Sequence, residues 1–156
     1  MVSLANFSLT GIEGTLGPNP RRAEHLLFRA AALYQDAEAQ YQLGALYQSD
    51  RLGPPQMRSA ARWYGLAAKK GHATASASLG RMLVLGDGVP RRPVRGLVLL
   101  MKAKTTASDT RVLSWYDEAV LTTTEEERAL ANDLLATSSS TTNGLAQDAN
   151  PSTELN

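Results

Sequence analysis

The chain has 156 residues, 43% of them hydrophobic and only 6% aromatic, with a formal net charge of +1. That length holds one ordinary domain or a short repeat array, and the abundance of alanine and leucine favours close-packed helices over a sandwich or barrel. With no cysteine, disulfides, thiolate metal sites and a cysteine nucleophile are all excluded.

No stretch is apolar over 18 residues, so no membrane-spanning helix is expected. Residues 1–10 lack a positive n-region and their apolar run is broken, so a signal peptide is not expected either. Read as written, the chain is expected in the cytoplasm; a longer N-terminus would make the periplasm the alternative. Residues 1–19, with Leu4, Ala5 and Phe7 ahead of Gly11 and Gly14, read as the end of a partial repeat. From there the chain repeats itself. Ala23-x3-Leu27-x2-Ala30-Ala31 recurs as Ala60-x3-Tyr64-x2-Ala67-Ala68, and more weakly as Gly96-x3-Leu100-x2-Ala103. Leu43-Gly44-Ala45-Leu46-Tyr47 returns 36 residues later as Leu79-Gly80-Arg81-Met82-Leu83.

Each unit therefore reads as a first helix A, a short turn, a second helix B and a Gly/Pro-rich connection. In the middle unit the spacing predicts helix A over 56–70 and helix B over 73–85, with Ala60, Tyr64, Ala67 and Ala68 on one stripe. Gly71 fits a left-handed residue past the end of helix A, and Gly86-Asp87-Gly88-Val89-Pro90 fits the connection. Gly44 and Gly80 lie inside helix B, where glycine costs about 1 kcal/mol relative to alanine. A repeated, costly glycine implies a tight crossing by a neighbouring helix. Tyr34, Tyr41, Tyr47, Trp63 and Tyr64 are expected mostly in the core. After Lys104 the repeat fades. Residues 109–121 and 124–136 read as two capping helices within a segment 108–137, the second opened by a Thr124/Glu127 capping box. The polar residues 138–156 are expected to be a disordered tail.

The string Ala60-x3-Tyr64-x2-Ala67-Ala68-x2-Gly71-x3-Ala75-x3-Leu79-Gly80 resembles the Sel1-like repeat, a tetratricopeptide-related unit. The turn at residues 86–90, followed by Val94, Arg95 and Gly96, is similar to the connection between such repeats. The resemblance covers about residues 1–104, with repeats over 20–107. It implies an all-α, right-handed α/α solenoid whose concave face binds a protein or peptide, as an adaptor or regulator in bacterial signalling. Tyr34 and Asp50 stand where the family usually has glycine, and one extra residue lies near Gln35. Residues 93–135 also look like the C-terminus of alphaproteobacterial ExoR-type regulators. That second likeness implies a periplasmic regulator of a sensor kinase.

Charge is divided along the chain. Residues 1–111 carry 15 Lys/Arg against 7 acids, and residues 112–156 carry one Arg against 8 acids. Such a split can mark an anionic partner for the basic part or an acidic tail folding back on it, but long arginines that simply solvate outer helix faces explain it more economically. Trp63, Arg58, Arg62, Arg81, Arg91, Arg92 and Arg95 are the candidate partner-binding residues, since tryptophan and arginine are enriched at interfaces. Trp63 adjoins Tyr64 but points about 100° away from it around the helix.

No constellation suggests catalysis. The two histidines, His25 and His72, fall at different points of the repeat and lack the convergent partners of a zinc site. There is no Gly-x-Ser-x-Gly elbow, and Gly86-x-Gly88 lacks both the third glycine and the strand of a dinucleotide site. Glu125, Glu126 and Glu127 are better explained by a helix N-terminus than by an acidic catalytic cluster. The chain is thus read as a non-enzyme without cofactor or metal. Nucleic acid, or another polyanion bound by the basic repeats, is the alternative partner.

Overall fold

The structure, a computed structural model, describes residues 2, 3, 5, 18–107 and 109–147. Among these residues there are seven long helices and no strand. They are α1 (Pro20–Leu33), α2 (Ala37–Gln48), α3 (Met57–Lys69), α4 (Ala73–Leu85), α5 (Pro93–Thr106), α6 (Arg111–Thr122) and α7 (Glu125–Gln147). Val2, Ser3 and Ala5 are also helical, and Ala5 is buried in one cluster with Leu27 and Leu43. The remainder of segment 1–19, apart from Pro18 and Asn19, lies outside the described residues. The architecture is the expected all-α repeat solenoid, with α1, α3 and α5 as A helices and α2 and α4 as B helices.

Local chemistry sets the boundaries. Asn19 accepts from the Arg22 amide at 3.0 Å, ahead of Pro20 in the first turn of α1. Asp36 caps α2 by accepting from the Ala39 amide at 2.7 Å. At the same point one unit on, His72 caps α4 by accepting from the Ala75 amide at its Nδ1, 3.1 Å away. An accepting Nδ1 leaves the neutral ring's proton on Nε2, which lies 3.0 Å from Glu38 Oε2, while the ring stacks on Tyr41. His72 is therefore a helix cap.

Gly71 has φ +84 and Gly86 has φ +76, so both take the left-handed conformation expected of them. In the first unit the corresponding residue is Gln35, at φ 50, whereas Tyr34 is right-handed at φ −99. The extra residue shifts the register, so Gln35 rather than Tyr34 stands in the glycine position. Asp50 is likewise not left-handed, and Gly53, at φ +119, turns the longer connection instead. A side chain in the left-handed region costs about 1–2 kcal/mol. Gln35→Gly is expected to stabilise the chain by roughly 0.5–1 kcal/mol, part of the relief being offset by the entropy of an unfolded glycine. A urea midpoint that stays put or falls would contradict this.

The most extensive contacts join α2 to α3 and α4 to α5, a B helix to the A helix that follows it. Both in-helix glycines lie in these seams. A Cβ on Gly44 would come within 2.7 Å of the Tyr64 ring, and a Cβ on Gly80 would lie 2.8 Å from the Gly96 carbonyl oxygen. Gly96, where the preceding A helix has Ala60, returns the constraint: its Cβ would lie 2.5 Å from the Gly80 carbonyl. Tyr64 is buried, as expected; Tyr41, Tyr47 and Trp63 are half-buried. Tyr34 is 66% exposed and lies outside the core, at the C-cap of α1 where the helix ends.

Beyond α5, helix α6 packs on α4 and α5, and α7 packs on α5. Their Val112, Ala119 and Ala131 are buried in one cluster with Leu97 and Leu100. The Thr124/Glu127 capping box is formed reciprocally. The Thr124 amide donates to the Glu127 carboxylate (3.0 Å), and the Glu127 amide donates to the Thr124 hydroxyl (3.2 Å). Helix α7 runs to Gln147, past the boundary at which a disordered tail was expected to begin. Thr137 and Ser138 hydroxyls donate back to the carbonyls of Asp133, Leu134 and Leu135 in the preceding turn. Residues 148–156 of the expected tail lie outside the described residues.

Candidate partner-binding surface

The A helices bury one stripe against the B helices and leave the other to solvent. On that outer side a cleft of about 240 Å³ lies between α1 and α3, lined by Phe28, Ser59, Arg62, Trp63 and Leu66. Trp63 meets Phe28 edge to face, with ring centroids 5.8 Å apart, so its indole forms an apolar wall of the cleft. Its other surface packs on the buried cluster of the first unit. Phe28 is 49% exposed and Leu66 42% exposed. A second cleft, about 480 Å³, lies between the start of α5 and helix α7; Arg92, Pro93, Val94, Arg95, Val98 and Leu134 line it.

The seven candidate residues separate into two groups. Arg62 and Trp63 share the first cleft, Arg92 and Arg95 share the second, and Arg58 lies exposed one turn before Arg62. Among the described residues no carboxylate pairs with any of these four arginines.

Arg81 and Arg91 are engaged within the chain. Arg81 donates to both carboxylate oxygens of Glu118, at 2.7 and 3.1 Å. Arg91 donates to both oxygens of Glu127, at 3.0 and 3.4 Å, and to the Thr122 carbonyl. They tie the two acidic C-terminal helices to the basic repeats, so the charge division is at least partly an intramolecular match. Fork-shaped guanidinium–carboxylate pairing suits this role.

These hydrogen bonds hold Glu118 and Glu127 below the usual carboxylate range, from Arg81 and Arg91 respectively, and the Thr124 amide adds to the effect on Glu127. A depressed folded value means the stabilisation is complete above the ordinary value near 4.5 and is lost as pH falls through the folded value. In a Trp63→Phe background, Trp115 fluorescence is expected to report loosening of α6 below about pH 4.5. Glu118→Gln should weaken that acid transition modestly, since both side chains remain partly solvated. An acid transition identical in the two proteins would contradict the role of the pair.

Phe28, Leu66, Val94, Val98 and Leu134 were not singled out in the sequence. Phe28 and Leu66 were detectable in principle, as large apolar residues one or two places off the Leu27 and Tyr64 stripes. Leu134 was not, because nothing in the sequence says that α7 returns to the start of α5. His25 is exposed on α1, and among the described residues no group of three or more acids and histidines is placed to hold a metal ion. No helix among them is long and apolar enough to cross a membrane.

The Sel1 repeat family model matches residues 1–34, 37–72 and 73–103. The latter two segments contain α2 with α3 and α4 with most of α5, the same B–A pairs that pack most extensively. Among curated proteins, the chain is similar to an exopolysaccharide production negative regulator of Rhizobium meliloti (strain 1021). Identity is 29% over 135 residues, covering 84% of this chain and 49% of the relative. A protein of the same description from Rhizobium leguminosarum bv. viciae is 32% identical over 104 residues, covering 66% of this chain and 38% of the relative. The chain thus spans about half the length, or less, of these relatives. Among solved structures, a Sel1 repeat protein from Oxalobacter formigenes aligns with a TM-score of 0.65 and 22% identity, over 88% of this chain and 57% of its own. A protective antigen of uropathogenic Escherichia coli displaying an SLR fold aligns with a TM-score of 0.61 and 18% identity, over 99% of this chain and 41% of its own. At these identities the two structures speak for the fold.

Proposed function

The chain belongs to the Sel1 repeat family, and from that premise we propose that it is a non-catalytic protein–protein interaction module acting as an adaptor or regulator in a bacterial signalling pathway. One observation carries this reading: the outer side of the A helices holds two apolar clefts, each beside arginines that no carboxylate among the described residues neutralises. Apolar walls supply binding energy once desolvated, and unpaired guanidinium groups supply orientation. We take this side to be the concave, partner-binding face, with Arg58, Arg62, Trp63, Arg92 and Arg95 as its contacts. Arg81 and Arg91 belong instead to the internal ties. A regulatory role is supported by the description of the two rhizobial relatives, and the same likeness motivates a periplasmic site of action. Measuring the endogenous protein's intact mass in periplasmic and cytoplasmic fractions tests the compartment.

The face itself is tested by site-specific photo-crosslinking in the producing bacterium. A photoreactive residue at Leu66, on α3, is expected to give a discrete protein adduct. The same residue at the exposed Leu85, on α4, is expected to give none. Adducts from Leu85 alone, or from both positions equally, would contradict the assignment of the face.

A further inference from the structure

The chemistry of the A-helix side restricts what it can hold. Helices α3 and α5 contain no acidic residue. The one acid of α1, Glu24, is occupied by Arg21 and by the Tyr47 hydroxyl, which donates to it at 2.9 Å. Arg22 and Arg95 occupy one position of the first and third A helices, with Ser59 at that position between them, and one turn on Arg62 stands between His25 and Val98. The charged residues of α3 and α5 are therefore all cationic, with apolar side chains between them.

The chain also contains an internal example of what its basic repeats accept. Acidic α6 and α7 dock against them through Arg81–Glu118 and Arg91–Glu127, with Val112, Ala119 and Ala131 entering the apolar core alongside. Carboxylates on guanidinium groups, beside apolar side chains in a cleft, make up that docking mode. Arg62, Arg92 and Arg95 offer the same groups, with no carboxylate of the described residues upon them.

We infer that the A-helix side takes an acidic, amphipathic segment of a partner protein, its carboxylates on Arg62, Arg92 and Arg95 and its apolar side chains in the clefts walled by Trp63 and Val98. This rests on the interaction-module reading and adds the chemistry of the partner to it. The apolar walls favour a peptide over a nucleic acid, whose affinity comes chiefly from phosphate contacts.

The test selects a displayed library of random peptides on the full chain. The enriched peptide is then titrated against the parent, Arg62→Glu and Arg95→Glu, all with Trp115→Phe so that Trp63 is the one tryptophan. Thermal melts of each variant establish that these exposed substitutions leave the fold intact. The expected result is a net-acidic peptide with bulky apolar residues that shifts Trp63 emission and loses about tenfold or more in affinity with each reversal. Neutral or basic peptides, or an acidic peptide indifferent to both reversals, would overturn the inference while leaving the interaction module standing. An empty selection, or tight salt-sensitive binding of duplex or single-stranded DNA in its place, would remove both.

Discussion

Gly65→Ala is expected to raise stability by about 0.5–1 kcal/mol, whereas Gly80→Ala is expected to lower it by about 1–3 kcal/mol. Both glycines lie inside helices, so helix propensity alone predicts the same gain for each. Their surroundings differ. A Cβ on Gly65 would meet only Leu79 Cδ2, at an ordinary 3.9 Å. A Cβ on Gly80 would lie 2.8 Å from the Gly96 carbonyl and 3.0 Å from Leu100 Cγ, and a backbone carbonyl in the first turn of α5 cannot turn aside without breaking that turn. The seam between α4 and α5 must then open, and the contacts of Leu97 and Leu100 loosen with it. Gly80→Leu should cost more than about 3 kcal/mol, beyond the usual range for overpacking. Denaturant midpoints of the three variants decide the matter. A stabilised Gly80→Ala would mean that the helices do not approach as described.

Tyr64→Ala should be the most damaging truncation, costing about 3–5 kcal/mol. Tyr64 is the largest fully buried side chain. Its ring fills the notch above Gly44, and its hydroxyl donates to Gln48 Oε1 at 2.7 Å. Burial first, with Tyr41 alongside, pushes its phenol well above the usual range, so it stays a neutral donor at any physiological pH. Tyr64→Phe removes only that hydrogen bond, and about 0.5–1.5 kcal/mol is expected. The next A helix has Leu100 in the equivalent place, which suggests a double-mutant cycle. Gly44→Ala should be costly in the parent but nearly tolerated beside Tyr64→Leu, because the ring is what its new methyl strikes. Additive effects in that cycle would contradict the packing described.

Much of the fold was readable because repetition exposes it. The spacing of Ala60, Tyr64 and Ala67 gave helix A of the middle unit within one residue at each end, and helix B was found over the expected 73–85. The repeated Gly44 and Gly80 signalled tight crossings, since a costly residue that recurs has a packing reason. The left-handed residue of the first unit is Gln35 and not Tyr34, because the extra residue changes register without changing the amino-acid pattern on either side. Serine and threonine read as loop formers, which is why the tail was expected from 138, whereas helix α7 runs on to Gln147.

The candidate surface was legible only in part. Residue type pointed to all six arginines alike. What separates Arg62, Arg92 and Arg95 from Arg81 and Arg91 is where Glu118 and Glu127 return in space, and no local pattern carries that. Trp63 lay off the Tyr64 stripe, as its 100° offset implied, but its edge-to-face contact with Phe28 depends on how α1 and α3 lie side by side. Each cleft is walled by helices far apart in sequence, Phe28 against Trp63 and Val98 with Leu134, so a reading of one repeat at a time cannot find them.

The most direct measurement is the affinity of the protein captured through the Leu66 position, determined with the parent chain and with Arg62→Glu/Arg95→Glu, alongside the thermal midpoint of each. The account predicts that Kd rises about tenfold or more while the midpoint moves by no more than about a degree. An unchanged Kd in a folded double variant would contradict it, and the partner-binding face would have to be sought elsewhere on the array.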